Sequence, residues 1–345
     1  MSGQMRFGLS GTLGGLEAHG ADAVLAQARR VERLGFDCLW LNEEHFSQPD
    51  ARRGRRVLSP IVLAAAVAAA TSTLRVGFSV LLVPLHHPLR LAEEIATLDV
   101  LSGGRVNFGV SQANSGRYRI PFGYDEARDP GLQQCLDQIL GYWSGTPIVV
   151  DGTSYALSPT PVQQPHPPIY VGAYRPQTLA WAAGRGYPII AHGIQAPASL
   201  HRCLATYAAH GGDLTAVPVG RFCYVGESDR QARRDSWPTV IQQAQRLHNI
   251  GLWRRGGLVT TEEDLEPERF YHETAIIGAP ETVAARIAEL RDRYGLRRIN
   301  LLSSFFGYLP AELLDRSLEL FATEVMPRLN PESVASPPNH KQPAS

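Results

Sequence analysis

Asn42, Glu43, Glu44 and His45 follow one another in the stretch WLNEEHF, directly after an apolar run that reads as a strand. Two adjacent carboxylates beside an imidazole suit proton transfer, because like charges raise one carboxyl pKa while a neighbouring imidazolium lowers the other. The same residues equally suit a loop whose acids are solvated and whose histidine caps a carbonyl, since ion-pair networks also gather such groups. A second polar run, NFGVSQANSG, sets Ser111 and Gln112 at the end of another strand-like segment, where small residues let a ligand approach the backbone. A third, YVGAYRPQT, passes from a strand straight into a helix beginning near Pro176. There Tyr174, Arg175, Gln177 and Thr178 surround free N–H groups that favour an anion. His192 follows a further strand. His86 and His87 are neighbours and do not present two nitrogens on one helix face, which favours packing or a dimer contact over a metal site. Neither H-E-x-x-H nor a calcium-loop pattern occurs, and no metal is expected.

The scaffold for these residues is an alternation of short β-branched or apolar runs with stretches of helical period, the pattern of a parallel sheet with helical crossovers. Strands are predicted at 6–9, 38–41, 74–82, 105–110, 168–171, 188–191, 220–225 and 298–302. Eight is the number that closes a (β/α)8 barrel, whose active site lies at the C-terminal ends of the strands. Helices are predicted at 21–34, 60–71, 89–101, 131–142, 177–183, 198–210, 229–244, 281–294 and 311–325. A doubly wound sheet would carry a Gly-rich first turn, but GLSGTLGGLE lacks the G-x-G-x-x-G spacing. Two insertions break the rhythm. Residues 142–167, after strand 4, contain a hairpin-like run turning at Asp151-Gly152. Residues 245–273, after strand 7, read as either a mobile loop or an ordered excursion. The expected organisation is one barrel domain over residues 1–329 with a tail, 330–345, that is disordered by composition.

Composition excludes several functions. The 345 residues carry 33 Lys+Arg against 33 Asp+Glu, so no basic field exists to hold a nucleic acid or an anionic membrane. The only lysine is Lys341, which removes lysine Schiff-base chemistry and the lysine-bearing phosphate loop. Cys38, Cys135, Cys203 and Cys223 form no C-x-x-C pair and read as buried free thiols. With no signal-peptide pattern and no apolar run of about 18 residues, the expected location is the cytoplasm. The helix at 60–71, PIVLAAAVAAAT, is apolar almost all round. Such a helix is buried on every side, which a homodimer packed through it would explain.

The stretches GFDCLWLNEEHF, LVPLHHPLRLAEEIATLDVLSGGRVNFGVS, PPIYVGAYRPQTLAWAAGRGYPII and LFATEVMPRL resemble, in order and spacing, the bacterial luciferase-like flavin monooxygenases, over residues 6–329. The resemblance implies a dimeric barrel that takes reduced FMN from a separate flavin reductase and uses O2 to oxidise a small organic substrate. The Arg- and Ala-rich composition suits specialised metabolism. Two alternatives stay open: a deazaflavin-dependent oxidoreductase that transfers hydride, and a non-catalytic flavin-binding homologue. By position, Glu43 and His45 match acidic and histidine positions at the end of strand 2. Thr178 matches a phosphate-binding threonine, and Ser79 and Val80 match a non-proline cis peptide that supports the flavin ring.

The departures are equally specific. Glu44 stands where the family has its catalytic histidine and is expected to take over proton handling. Ser111 stands in place of a reactive cysteine, so luciferase-type light emission is not expected. Gln112 and Pro130 stand in place of two phosphate-binding arginines, and Arg175 in place of a phosphate-binding serine. A phosphate is therefore expected among Arg175, Gln177 and Thr178, with Arg128 or Arg117 as a second cation.

Overall fold

The computed structural model describes residues 4–11, 20–46, 58–113, 116–251 and 257–331. Its central strands are β1 (Arg6–Ser10), β2 (Cys38–Leu41), β3 (Arg75–Phe78), β4 (Val106–Ser111), β5 (Ile169–Gly172), β6 (Ile189–Ile190), β7 (Pro218–Arg221) and β8 (Arg298–Leu301). They lie parallel in the order β7-β8-β1-β2-β3-β4-β5-β6. A parallel bridge between Ala191 and Val219 joins β6 back to β7. The Ala191 carbonyl accepts the Gly220 N–H there at 2.8 Å. The sheet is thus closed into the eight-stranded barrel that the sequence predicts, and its strands read as unbroken apolar runs because both faces are covered.

Around it lie α1 (Ala21–Arg33), α2 (Pro60–Ala70), α3 (Pro88–Ser102), α4 (Leu132–Trp143), α5 (Pro176–Gly184), α6 (Pro197–Ala209), α7 (Asp229–Asn249), α8 (Pro280–Tyr294) and α9 (Ala311–Leu320). Five of these begin at a proline, whose missing N–H costs nothing in a first turn. Glycines in the left-handed region, Gly103 at φ 65 and Gly295 at φ 69, stop α3 and α8. Inside the barrel the Trp40 indole lies over Gly8 and Gly77, where a Cβ would come within 2.7 and 2.5 Å of the ring. Trp40 meets Tyr170 edge-on at 5.1 Å, and Cys38, Ile190 and Val80 complete that cluster.

Two predicted strands are each broken in the structure. The run at 74–82 stops at Phe78, passes through a cis peptide between Ser79 and Val80, and resumes at Leu81–Leu82, which pairs with Val110 and Ser111 of β4. Gly109 permits this, because a Cβ there would lie 1.6 Å from the Phe78 carbonyl oxygen. The run at 220–225 divides at Phe222. Pro218–Arg221 stays in the barrel while Cys223–Val225 leaves it to pair with Ile276–Gly278, a three-residue strand too short to signal itself in sequence. Phe222 is held in place by the rings of Phe270, Phe305 and Phe306.

The hairpin in the first insertion forms as expected. Ile148–Val150 pairs antiparallel with Thr153–Tyr155, and Asp151 and Gly152 both have positive φ. In the second insertion α7 runs on to Asn249, and described residues from 257 onward are tied to the barrel rim, with the Leu258 carbonyl accepting the Ala196 N–H at 3.0 Å. That part is an ordered excursion. Asn330, expected to begin the tail, accepts the Met5 N–H at 2.8 Å and donates to the Met5 carbonyl. Residues 332–345 lie outside the described part. All four cysteines are buried free thiols, and burial pushes them up, Cys203 to about 11. Among the described residues no helix is long and apolar enough to cross a membrane.

Candidate functional site

The C-terminal ends of β2 and β3 meet at one buried carboxylate. The Glu43 side chain is 1% exposed, and its Oε1 accepts hydrogen bonds from His45 Nε2 and His86 Nε2, each at 2.9 Å. Its Oε2 accepts the Leu82 N–H at 2.5 Å, while the Glu43 N–H donates to the Val80 carbonyl at 3.3 Å. Burial acts against ionisation and is the largest single influence on this carboxyl. The His86 hydrogen bond and charge, the Leu82 N–H and His45 together outweigh it and hold Glu43 below the usual carboxylate range. Main chain and side chain of one residue therefore grip the segment that contains the Ser79–Val80 cis peptide. His45 and His86 are both partly buried, and the Nδ1 of each is without a partner among the described residues. The His45 ring packs 4.5 Å from Phe122 and 5.6 Å from Tyr118. Glu44 is half-buried beside the cluster.

Sequence reasoning set His86 aside because the pair His86-His87 fails the spacing of a helical metal site. His86 instead caps the short turn Val83–Leu85, just before α3, and it works through space on Glu43. Its signal in the sequence was the buried acid 43 residues earlier, and only the fold connects the two. Among the described residues no group of three or more His, Cys, Asp or Glu could hold a metal.

A second feature is a cleft of about 380 Å³ where β4 and β5 end and α4 and α5 begin, within the size range of small-molecule sites. Ser111, Gln112, Gly172, Tyr174, Arg175 and Thr178 line it, so five of the sequence-predicted residues come together. Ser111 Oγ donates to the Gly172 carbonyl at 3.0 Å. At Gly172 a Cβ would come within 3.0 Å of Val80 and 3.4 Å of Ser111, so the floor is as close as backbone allows. Arg175 is the N-cap of α5, and its exposed guanidinium is without a hydrogen bond or ion pair among the described residues. The first N–H groups of α5 have no intrahelical acceptor. Tyr174 is covered by Gly257, whose left-handed backbone brings it against the ring.

Four of the expected residues are placed or bonded in ways that the expectation did not include. Gln177 is exposed and lies outside the cleft lining, because its place one residue after Pro176 turns it away. Gln112 is no open phosphate ligand: its Oε1 accepts the Leu132 N–H at 2.7 Å, at the start of α4, and its Nε2 donates to Tyr124 Oη at 2.9 Å. Arg128 is neutralised by its neighbour Asp129, at 3.0 Å. Arg117 donates to the carbonyls of His45 and Phe46, at 3.0 and 2.6 Å, and so braces the loop after β2. Glu126, the one acid among the described residues lining the cleft, is paired with Arg119.

Further around the rim, His192 is exposed at the end of β6 yet closely surrounded by protein. Desolvation, with Arg246 adding repulsion, draws its imidazole down to about 4. Its Nδ1 accepts the Ile194 N–H at 3.3 Å, so the neutral ring carries its proton on Nε2.

The Glu43 cluster makes a signed prediction. A carboxyl whose folded pKa lies below its unfolded value near 4.5 contributes stability that is complete above pH 4.5 and is lost as pH falls through the folded value. Glu43→Gln should cost about 3 kcal/mol at pH 7, and in urea titrations the gap to wild type should narrow steadily below pH 4.5. A gap that stays constant down to pH 3 would show that the Glu43 charge does not hold the rim.

Residues 5–297 match the family model described as luciferase-like monooxygenase. The alkanal monooxygenase alpha chain of Photorhabdus luminescens is 32% identical over 168 residues, 47% of this chain and 45% of that one, so this match spans about half the length of the relative. The alkanal monooxygenase alpha chain of the Kryptophanaron alfredi symbiont is 26% identical over 88% of this chain and 91% of its own. Among solved structures, the oxygenating constituent of 3,6-diketocamphane monooxygenase from Pseudomonas putida, in complex with FMN, superposes with a TM-score of 0.77 at 19% identity. That superposition covers 94% of this chain and 98% of that one and shows the shared fold. With a family match over residues 5–297, most of its length, the chain belongs to the luciferase-like monooxygenase family.

Proposed function

We propose that the protein is a reduced-FMN- and O2-dependent monooxygenase of small organic molecules, supplied with reduced flavin by a separate reductase. The observation that carries this reading is the cleft at the start of α5, where an unpaired arginine, a threonine and free helix N–H groups surround one space. That donor set fits a phosphate monoester, which charge-assisted hydrogen bonds and a helix N-terminus both favour. In this reading Arg175 and Thr178 hold the flavin phosphate, and Tyr174 and Ser111 flank it. Gln112 serves by fixing the start of α4. Val80 and Ser79, gripped by Glu43, support the ring, and Gly172 leaves room for it. The bound flavin supplies the oxygen chemistry, while the protein supplies orientation and exclusion of water. His45, oriented by Glu43, moves the proton at its Nδ1, and Glu44 beside it completes the polar edge of the mouth.

Loss of Arg175 tests the reading. Wild type should bind FMN at least about tenfold more tightly than riboflavin, and Arg175→Ala should remove most of that preference. Equal affinity for the two flavins in wild type would refute the phosphate cleft. In the same titration, anaerobic addition of reduced FMN or reduced deazaflavin followed by air separates the alternatives. Reoxidation of reduced FMN with kinetics distinct from those of the free flavin, which air oxidises unaided, supports the monooxygenase, hydride transfer from deazaflavin alone supports the second cofactor, and neither points to a non-catalytic homologue.

The reading extends to a homodimer through α2. Within one chain this helix is not covered all round: Val62, Ala66 and Ala69 form an outward stripe, Val62 with 70% exposure. With Leu58, Val24 and Leu25 nearby, Val62 and Ala66 border an apolar groove against α1, and an exposed apolar stripe on a helix calls for a partner. Sedimentation should show a dimer in wild type and a monomer in Val62→Glu. A wild-type monomer at micromolar concentration would rule the α2 interface out.

A further inference from the structure

Around the rim from the phosphate cleft, at the ends of β6 and β8, lies a second cationic position. Arg246, in the last turn of α7, is half-buried, and its guanidinium sits 5.3 Å from the centre of the Phe306 ring. Its charge is felt at His192. Arg117, Arg119 and Arg128 near the mouth are all committed to carbonyls or carboxylates. The Arg246 guanidinium makes no hydrogen bond or ion pair among the described residues. The carbonyl dipoles at the end of α7 favour a cation there, but they leave the five N–H donors of the guanidinium unused. One turn earlier on the same helix face, Gln243 is fully buried with both amide atoms unpartnered among the described residues. Such groups are normally satisfied. His192 adds a further donor, because Ile194 occupies its Nδ1 and the proton lies on Nε2. The apolar side of this corner is aromatic, with Phe306 packed on Phe222 at 5.8 Å.

We propose that Arg246 and His192 receive the carboxylate of the substrate, so that the enzyme acts on a small organic acid whose flat apolar body rests along the Phe306 wall. A guanidinium held against a ring is preorganised for bidentate pairing with a carboxylate, and the neutral His192 adds a hydrogen bond without a second charge to desolvate. An uncharged substrate such as an alkanal would leave these donors unsatisfied, which costs affinity. As a statement about substrate, the inference rests on the monooxygenase reading above.

The test compares 2-naphthoate with 2-naphthamide, probes of one shape that differ in charge, by ligand fluorescence on wild type, Arg246→Gln and His192→Asn. FMN affinity is measured on the same samples. Wild type should prefer the carboxylate by about tenfold or more. The preference should fall below about twofold in Arg246→Gln and by a smaller factor in His192→Asn, with FMN affinity unchanged in both. Equal binding of the two probes by wild type, or a preference that survives Arg246→Gln, overturns the inference. A carboxylate preference in a protein that does not bind FMN supports the anion site and overturns the flavin reading, and FMN binding without carboxylate preference does the reverse.

Discussion

The mouth of this barrel depends on the burial of one charge. A carboxylate removed from water costs several kcal/mol unless partners repay the loss, and Glu43 has three: two imidazole N–H groups and the Leu82 N–H. Those partners come from three places in the chain, so satisfying the charge fixes where the ends of β2 and β3 and the turn before α3 stand relative to one another. The segment from Ser79 to Leu82 follows, because Glu43 grips it by both main chain and side chain. Glycines at 109 and 172 then let the neighbouring strands approach it. Polar chemistry at the rim and close packing beneath it are consequences of the same constraint.

Beyond that anchor, the arginines near the mouth divide by whether they are already bonded. Arg117, Arg119 and Arg128 are each already bonded to a carbonyl or a carboxylate and hold loops together. Arg175 and Arg246 stand at different places on the rim, one at a helix N-terminus with hydroxyl and N–H donors, the other against an aromatic wall beside a neutral imidazole. A helix N-terminus suits a phosphate with several oxygens to satisfy. A guanidinium on a ring suits a planar carboxylate. In the proposed reading the first takes the cofactor and the second the substrate.

Much of the scaffold was legible in the sequence because its signals are local. Eight apolar runs alternating with helical periods, and prolines and glycines at helix ends, specify the barrel without reference to distant residues. The misses are all places where a distant partner decides. The strand at 220–225 breaks because Cys223–Val225 finds Ile276–Gly278 some fifty residues on, and α7 outlasts its predicted end at 244 because residues after it dock on the rim. The site was legible in the same measure. Glu43 with His45, and Ser111, Gln112, Tyr174, Arg175 and Thr178 in one cleft, follow from their places at strand ends. The partnership of His86 with Glu43, the engagement of Gln112 by Leu132 and Tyr124, and the unbonded state of Arg246 appear only when the chain is folded, since each depends on which neighbour claims a donor first.

The most direct measurement is a crystal structure of the protein grown with FMN. The account predicts the phosphate within hydrogen-bond distance of the Arg175 guanidinium and of Thr178, with the flavin ring against Val80 and Gly172 and Glu43 still bonded to His45 and His86. Flavin bound elsewhere in the barrel, or a phosphate held away from Arg175, would contradict it.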